Sequence, residues 1–257
     1  MKHLLKYLAS AAILLSPLAA HSADLAVKAP PPPPPPPFSW TGFYVGGNIG
    51  GAWANNDWRD SLFLTNFNNN NNGVFIGGGQ IGGNYQIGNF VIGGEWDFDW
   101  AANNNNGGNG VFVPGVGNLV VTNNNRWITT VAARFGYAVD HWLLYGKAGG
   151  GWVGNNNLTV TNVTTGMSLT CGNFTSCGNN TGGWLVGAGV EYAFTNNWTV
   201  KAEYDFLGLG NRTFVIPVGS PLIAAGDTFT SNNRNIQTVK VGVNYLFNWG
   251  VPGAARY

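Results

Sequence analysis

Four features of this sequence have residue types and spacings that chemistry could use. Cys171 and Cys177 are its only cysteines and bracket one short stretch. Their spacing is not C-x-x-C, which argues against dithiol redox chemistry. In an exported chain such an even pair is expected to close as a disulfide. Gly77-Gly78-Gly79-Gln80-Ile81-Gly82 matches the G-x-G-x-x-G pattern. The match sits inside an alternating apolar run and opens no helix, so it fails the context test for a dinucleotide site. Glu95, Asp97 and Asp99 gather three carboxylates, but the pattern offers no substrate cleft of the kind a carboxylate-pair hydrolase works in. His141 is the one histidine outside the N-terminal segment. A single histidine cannot build the usual histidine metal site or a Ser-His-Asp triad. No catalytic, cofactor-binding or metal-binding set is assigned, and the chain is not read as an enzyme.

Composition says what kind of element must carry these residues. Only 9% of the 257 residues are charged, against about 25% in an ordinary soluble domain. The chain has 39 Gly, 35 Asn, 11 Trp, 15 Phe and 9 Tyr. That many aromatics argues against disorder, and Gly without a three-residue period excludes collagen. A formal charge of +1 speaks against nucleic acid, which requires a basic patch. Beyond the N-terminus no run of about 18 apolar residues is available for a membrane helix. A β-rich chain remains.

The N-terminus gives the destination. Lys2, His3 and Lys6 precede the apolar run from Leu8 to Leu18, and Ala20-His21-Ser22-Ala23 resembles a cleavage site, so residues 1–23 read as a secretory signal peptide. Residues 24–39 contain the proline run Pro30 to Pro37. At about 3.1 Å per residue such a run is a polyproline II spacer in the periplasm. The folded domain is expected over 40–247, with a tail over 248–257.

From Trp40 onward, eight runs alternate with period two, the signature of strands with two unlike faces. The third is the clearest, with Phe90, Ile92, Trp96, Phe98 and Trp100 on one face and Glu95, Asp97 and Asp99 on the other. Links near 86–89, 138–141 and 195–197 are short. Those over 55–72, 101–125, 155–181 and 211–234 are long. Short turns at one end and long loops at the other, with an even strand count and aromatics at strand ends, define a transmembrane barrel. The fold class is therefore all-β: an eight-stranded antiparallel transmembrane β-barrel with short periplasmic turns and long extracellular loops. Its aromatic face points to lipid. A soluble barrel or sandwich would have to internalise those aromatics, more than eight strands can enclose.

The polar face then lines the lumen. It carries Glu95, Asp97, Asp99, Glu191, Glu203 and Asp205 together with Arg126, Arg134, Lys147, Lys201 and Lys240. An eight-stranded interior is just wide enough for side chains to fill. Opposed charges in so narrow a space should pair, because an unpaired buried charge costs several kcal/mol. A closed network is expected.

The opening Phe38-Ser39-Trp40-Thr41-Gly42-Phe43-Tyr44-Val45-Gly46-Gly47 and the closing Val241-Gly242-Val243-Asn244-Tyr245-Leu246-Phe247 resemble those of the RopB-like, 25-kDa outer-membrane protein family of alphaproteobacteria. The resemblance implies an eight-stranded barrel in the cell outer membrane whose relatives are immunogenic surface proteins affecting envelope integrity. It implies no catalytic residues and no cofactor. The functional expectation is a structural outer-membrane barrel displaying surface loops. Its expected partners are outer-membrane lipid and lipopolysaccharide, the barrel-assembly machinery, and host or saccharide ligands at the loops. Two alternatives stay open: a narrow pore for small solutes, and a haemin- or ligand-binding surface receptor.

Overall fold

In the computed structural model of the chain, the described residues are 38–61, 66–70, 73–102, 111–113, 115–122, 127–154, 159–170, 173, 176–177, 182–220 and 227–247. The expected signal peptide, nearly all of the proline spacer and the tail 248–257 lie outside them. Eight long strands follow one another: β1 Gly42–Asp60, β2 Val74–Ile87, β3 Phe90–Ala101, β4 Trp127–Val139, β5 Trp142–Gly154, β6 Gly182–Ala193, β7 Trp198–Leu209 and β8 Asp227–Phe247. Each pairs antiparallel with its sequence neighbour. Pairing of β1 with β8, from Phe43↔Phe247 to Asp60↔Phe229, closes the cylinder.

Local sequence explains the short links. Gly88 (φ 60°) and Asp140 (φ 51°) take the left-handed conformation in the turns after β2 and β4, as two-residue hairpins require. After β6, the Thr195 hydroxyl accepts from the Asn197 and Trp198 amides at 3.3 and 2.9 Å and tightens the turn.

Strand alternation sets the two faces. Along β4 buried and exposed residues alternate, so Arg134 is 4% exposed while its neighbour Phe135 is 61% exposed. The outer face keeps its aromatics in two belts. Phe43, Tyr85, Phe90, Trp142 and Trp198 ring the end with the short turns, and Trp53, Phe75, Trp100, Trp152 and Trp184 ring the other. Two aromatic girdles flanking an apolar band are the outer surface of a membrane barrel.

Two expectations change. The 55–72 and 211–234 links are not wholly loop: β1 and β8 run on past the upper girdle and pair there with strands Asn66–Asn70 and Arg212–Ile216. Phe214, Ile216 and Phe229 are buried in this extension, so apolar contact, not sequence alternation alone, prolongs the strands. The other two long links join each other. Strands Val111–Val113, Gly117–Thr122, Thr159–Asn162 and Ser168–Thr170 form a separate antiparallel sheet, with Val120 opposite Thr161.

The interior is not uniformly polar either. Ile76, Ile128, Val153, Leu185, Leu207 and Ile236 point inward near the upper rim and pack as one cluster. At the lower mouth Trp40, 1% exposed, packs with Val91, Ala138, Leu143, Tyr145 and Ala193. The Trp40 amide donates to Gln86 Oε1 at 2.8 Å, and the Thr41 hydroxyl accepts from the Gln86 amide at 3.0 Å. These two bonds fold the chain back into the mouth ahead of β1. Phe38 stacks on His141 at 5.0 Å beside it.

Candidate functional site: a buried ion-pair layer in the lumen

Between those apolar layers lies the charge. Glu95, Asp97 and Asp99 come from β3, Arg134 from β4, Lys147 from β5, Glu191 from β6, Lys201, Glu203 and Asp205 from β7 and Lys240 from β8, and every one of them is buried. Arg126 lies outside the described residues. Register places Arg134 directly opposite Lys147, a repulsive pair in isolation. Glu95 resolves it by reaching both cations at 3.3 Å.

Three ammonium groups act as hubs. Lys147 Nζ meets Glu203 at 2.7 Å, Glu95 and Asp205 at 3.3 Å and Asp97 at 3.4 Å. Lys240 Nζ meets Asp97 at 3.2 Å, Asp205 at 3.3 Å, and Asp99 and Glu203 at 3.4 Å. Lys201 Nζ meets Glu95 at 3.0 Å and Glu203 at 3.4 Å. Compact ammoniums suit this task, since each can serve several acceptors around one point. Arg134 takes the lower edge, bonding Glu191 at 2.8 Å. Its guanidinium lies over the Tyr145 ring at 3.9 Å and near that of Tyr44 at 5.4 Å, the geometry of cation–π contact.

Neutral groups complete the layer. Tyr44 and Tyr145 donate to Glu95 and Glu203, each at 2.8 Å. Below them Thr199 and Asn244 donate to Glu191 at 2.5 and 2.8 Å, Gln80 donates to Asn244 at 2.7 Å, and Asn48 donates to Gln80 at 2.8 Å. The sequence reading gave Tyr44, Asn48, Tyr145 and Asn244 no part in the network. Their strand parity, shared with the charges, was the available signal. Trp40 and the apolar collar carried no such signal.

Glycines make the room. A Cβ on Gly189 would stand 2.5 Å from the Tyr145 hydroxyl, and one on Gly82 would collide with the Tyr44 hydroxyl. The rings that hold the charges therefore fill the space that inner-face glycines leave. Chemically the layer satisfies and immobilises charge. Three ammoniums and the Arg134 guanidinium hold its carboxylates, and apolar clusters lie between it and each mouth. The expected Cys171–Cys177 disulfide includes Cys171, which lies outside the described residues.

Comparison with known proteins places this architecture. The sequence matches the family model described as outer membrane protein beta-barrel domain over residues 10–247. It is 32% identical over 245 residues to the 31 kDa outer-membrane immunogenic protein of Brucella melitensis, covering 89% of this chain and 93% of that protein. The 22 kDa outer membrane protein of Rhizobium leguminosarum bv. viciae is 28% identical over 211 residues, 81% of this chain and 79% of that one. Among solved structures, the outer membrane protein OprG from Pseudomonas aeruginosa aligns with a TM-score of 0.48 and 9% identity, over 82% of this chain and 99% of that chain.

Proposed function

This chain belongs to the outer membrane protein β-barrel family, and from that premise we propose that it is a structural barrel of the outer membrane with a closed lumen. It stiffens the envelope and holds up an outward-facing surface for contact with a host or with saccharide. The observation that carries the closed-lumen reading is the stacking of three layers. Trp40 and its neighbours fill the lower mouth, the ion pairs fill the middle, and Ile128, Leu185, Leu207 and Ile236 fill the upper end. A conducting pore needs a water path, and a hydrophobic constriction opposes one by dewetting. The display role is supported by the β-structure above the upper girdle, which leaves Phe112, Val163 and Met167 exposed. A Cys171–Cys177 disulfide would staple the same surface, and thiol labelling before and after reduction tests it.

Planar-bilayer recording of the refolded mature protein decides between barrel and pore, with folding verified by heat-dependent gel mobility. The closed barrel gives no steady current. Steady openings that change when Arg134 or Glu203 is neutralised would overturn this reading and make the protein a narrow pore.

A further inference from the structure

We propose that the four-stranded sheet above the upper girdle binds an uncharged polysaccharide from outside the cell, with Phe112 against a sugar ring and Asn118, Thr161 and Ser168 bonding its hydroxyls. This rests on the display part of the reading above and names the class of partner. Charge is unevenly shared among the long links. The first and fourth, 55–72 and 211–234, hold Asp57, Arg59, Asp60, Arg212, Asp227 and Arg234. The second and third, 101–125 and 155–181, hold no charged residue, and these two build the separate sheet. Complementary charge is what steers and selects an ionic partner. A surface with none offers nothing to phosphate, sulfate or a charged peptide, so a neutral partner fits it.

Register sorts the sheet into two unlike faces. Leu119, Val160 and Leu169 share one, and all three are buried. The other carries Phe112 opposite Asn118, and Val120 opposite Thr161, which in turn stands opposite Ser168. Phe112 is 65% exposed, and Asn118 and Ser168 are exposed on the same face. Exposed apolar surface rimmed by polar groups marks an interaction site. The polar groups have capacity to spare. The Thr161 and Ser168 hydroxyls bond each other at 2.8 Å. Each hydroxyl brings one donor and two acceptor sites, so one hydrogen and several lone pairs remain for a ligand. The Asn118 side-chain amide adds two donors and an acceptor.

Chemistry selects the partner. A neutral sugar presents a C–H face and a rim of hydroxyls. An exposed aromatic ring takes the first, and a few placed amide and hydroxyl groups take the second and fix orientation. Phe112 and Ser168 lie three strand spacings apart, about 14 Å. That span covers several sugar units, so the face suits a polymer and not a single sugar.

The test passes the full mature protein, refolded in detergent, over surfaces coated with laminarin, dextran or galactomannan. Heparin is the charged control, and surface plasmon resonance reads Kd. Saturable binding to at least one neutral polymer is expected, and weaker binding to heparin. Phe112→Ala should raise Kd about tenfold, and Ser168→Ala about fivefold. Heat-dependent gel mobility verifies that both variants keep the barrel. No binding to any of the three polymers would overturn the proposal. So would heparin binding more tightly than all of them, or a Kd that both variants leave unchanged. Binding only to polysaccharide released from the lipopolysaccharide of the cell's own membrane would overturn it too, by moving the partner into that membrane. Phe112→Cys, treated on intact cells with a membrane-impermeant maleimide, separates this proposal from the reading beneath it. Absence of label at residue 112 means that the sheet is not displayed, and both fail. Label without polysaccharide binding leaves the display role standing and sinks this proposal alone.

Discussion

The middle of the lumen and its two ends hold the same barrel together by different means. In the middle, ammoniums and carboxylates from β3 to β8 satisfy one another across the interior. At the ends, Trp40 below and Leu207 and Ile236 above pack into apolar clusters. The ends contribute stability in proportion to the apolar area they bury. The middle offsets a desolvation cost, and a buried ion pair is weak evidence for net stability. What it adds is discrimination. A one-residue slip of any strand would turn its charges to lipid and its aromatics inward, so the ion-pair layer fixes register while the caps supply free energy.

Three substitutions press on that contrast. Lys147→Met should be the most damaging, because it strips a cation from Glu95, Asp97, Glu203 and Asp205 together. Breaking a buried pair costs about 3–5 kcal/mol, and a hub belongs at the upper end. Urea unfolding followed by tryptophan fluorescence in lipid vesicles measures it, and a loss below about 1 kcal/mol would mean that the layer is looser than its geometry. Trp40→Ala comes next, at about 3–4 kcal/mol for a buried aromatic. It should leave the bilayer trace silent, since the charged layer above still blocks the path; a current appearing with this change alone would assign closure to the cap. Gly189→Ala should cost the least, about 1–3 kcal/mol for overpacking, by pushing Tyr145 off Glu203. A neutral result there would show that the ring can shift without loss.

The barrel was legible where its two faces differ most. Glu95, Asp97 and Asp99 interleave with Trp96, Phe98 and Trp100, and no helix period fits that order. The same parity put Arg134 and Lys147 inward from the two facing strands of one hairpin. Legibility failed where both faces are apolar. Leu185 lies between Trp184 and Val186, so alternation there says nothing about a collar. Trp40 precedes the first strand, and only the fold-back through Gln86 gives it a place inside. Asn66–Asn70 read as loop because asparagine is a poor strand former, yet it pairs with the extension of β1. A ready backbone edge overrode local preference.

The seam between β1 and β8 has a consequence for how the molecule comes to exist. Phe43 and Phe247 are partners at opposite ends of the folded sequence, so the ring shuts only when its last strand arrives. Contacts of that span form slowly. Until then β1 and β7 each present an unpaired edge, and such edges recruit other chains. A version truncated before Asp227 is therefore not a smaller barrel but an open sheet, and its fate is aggregation.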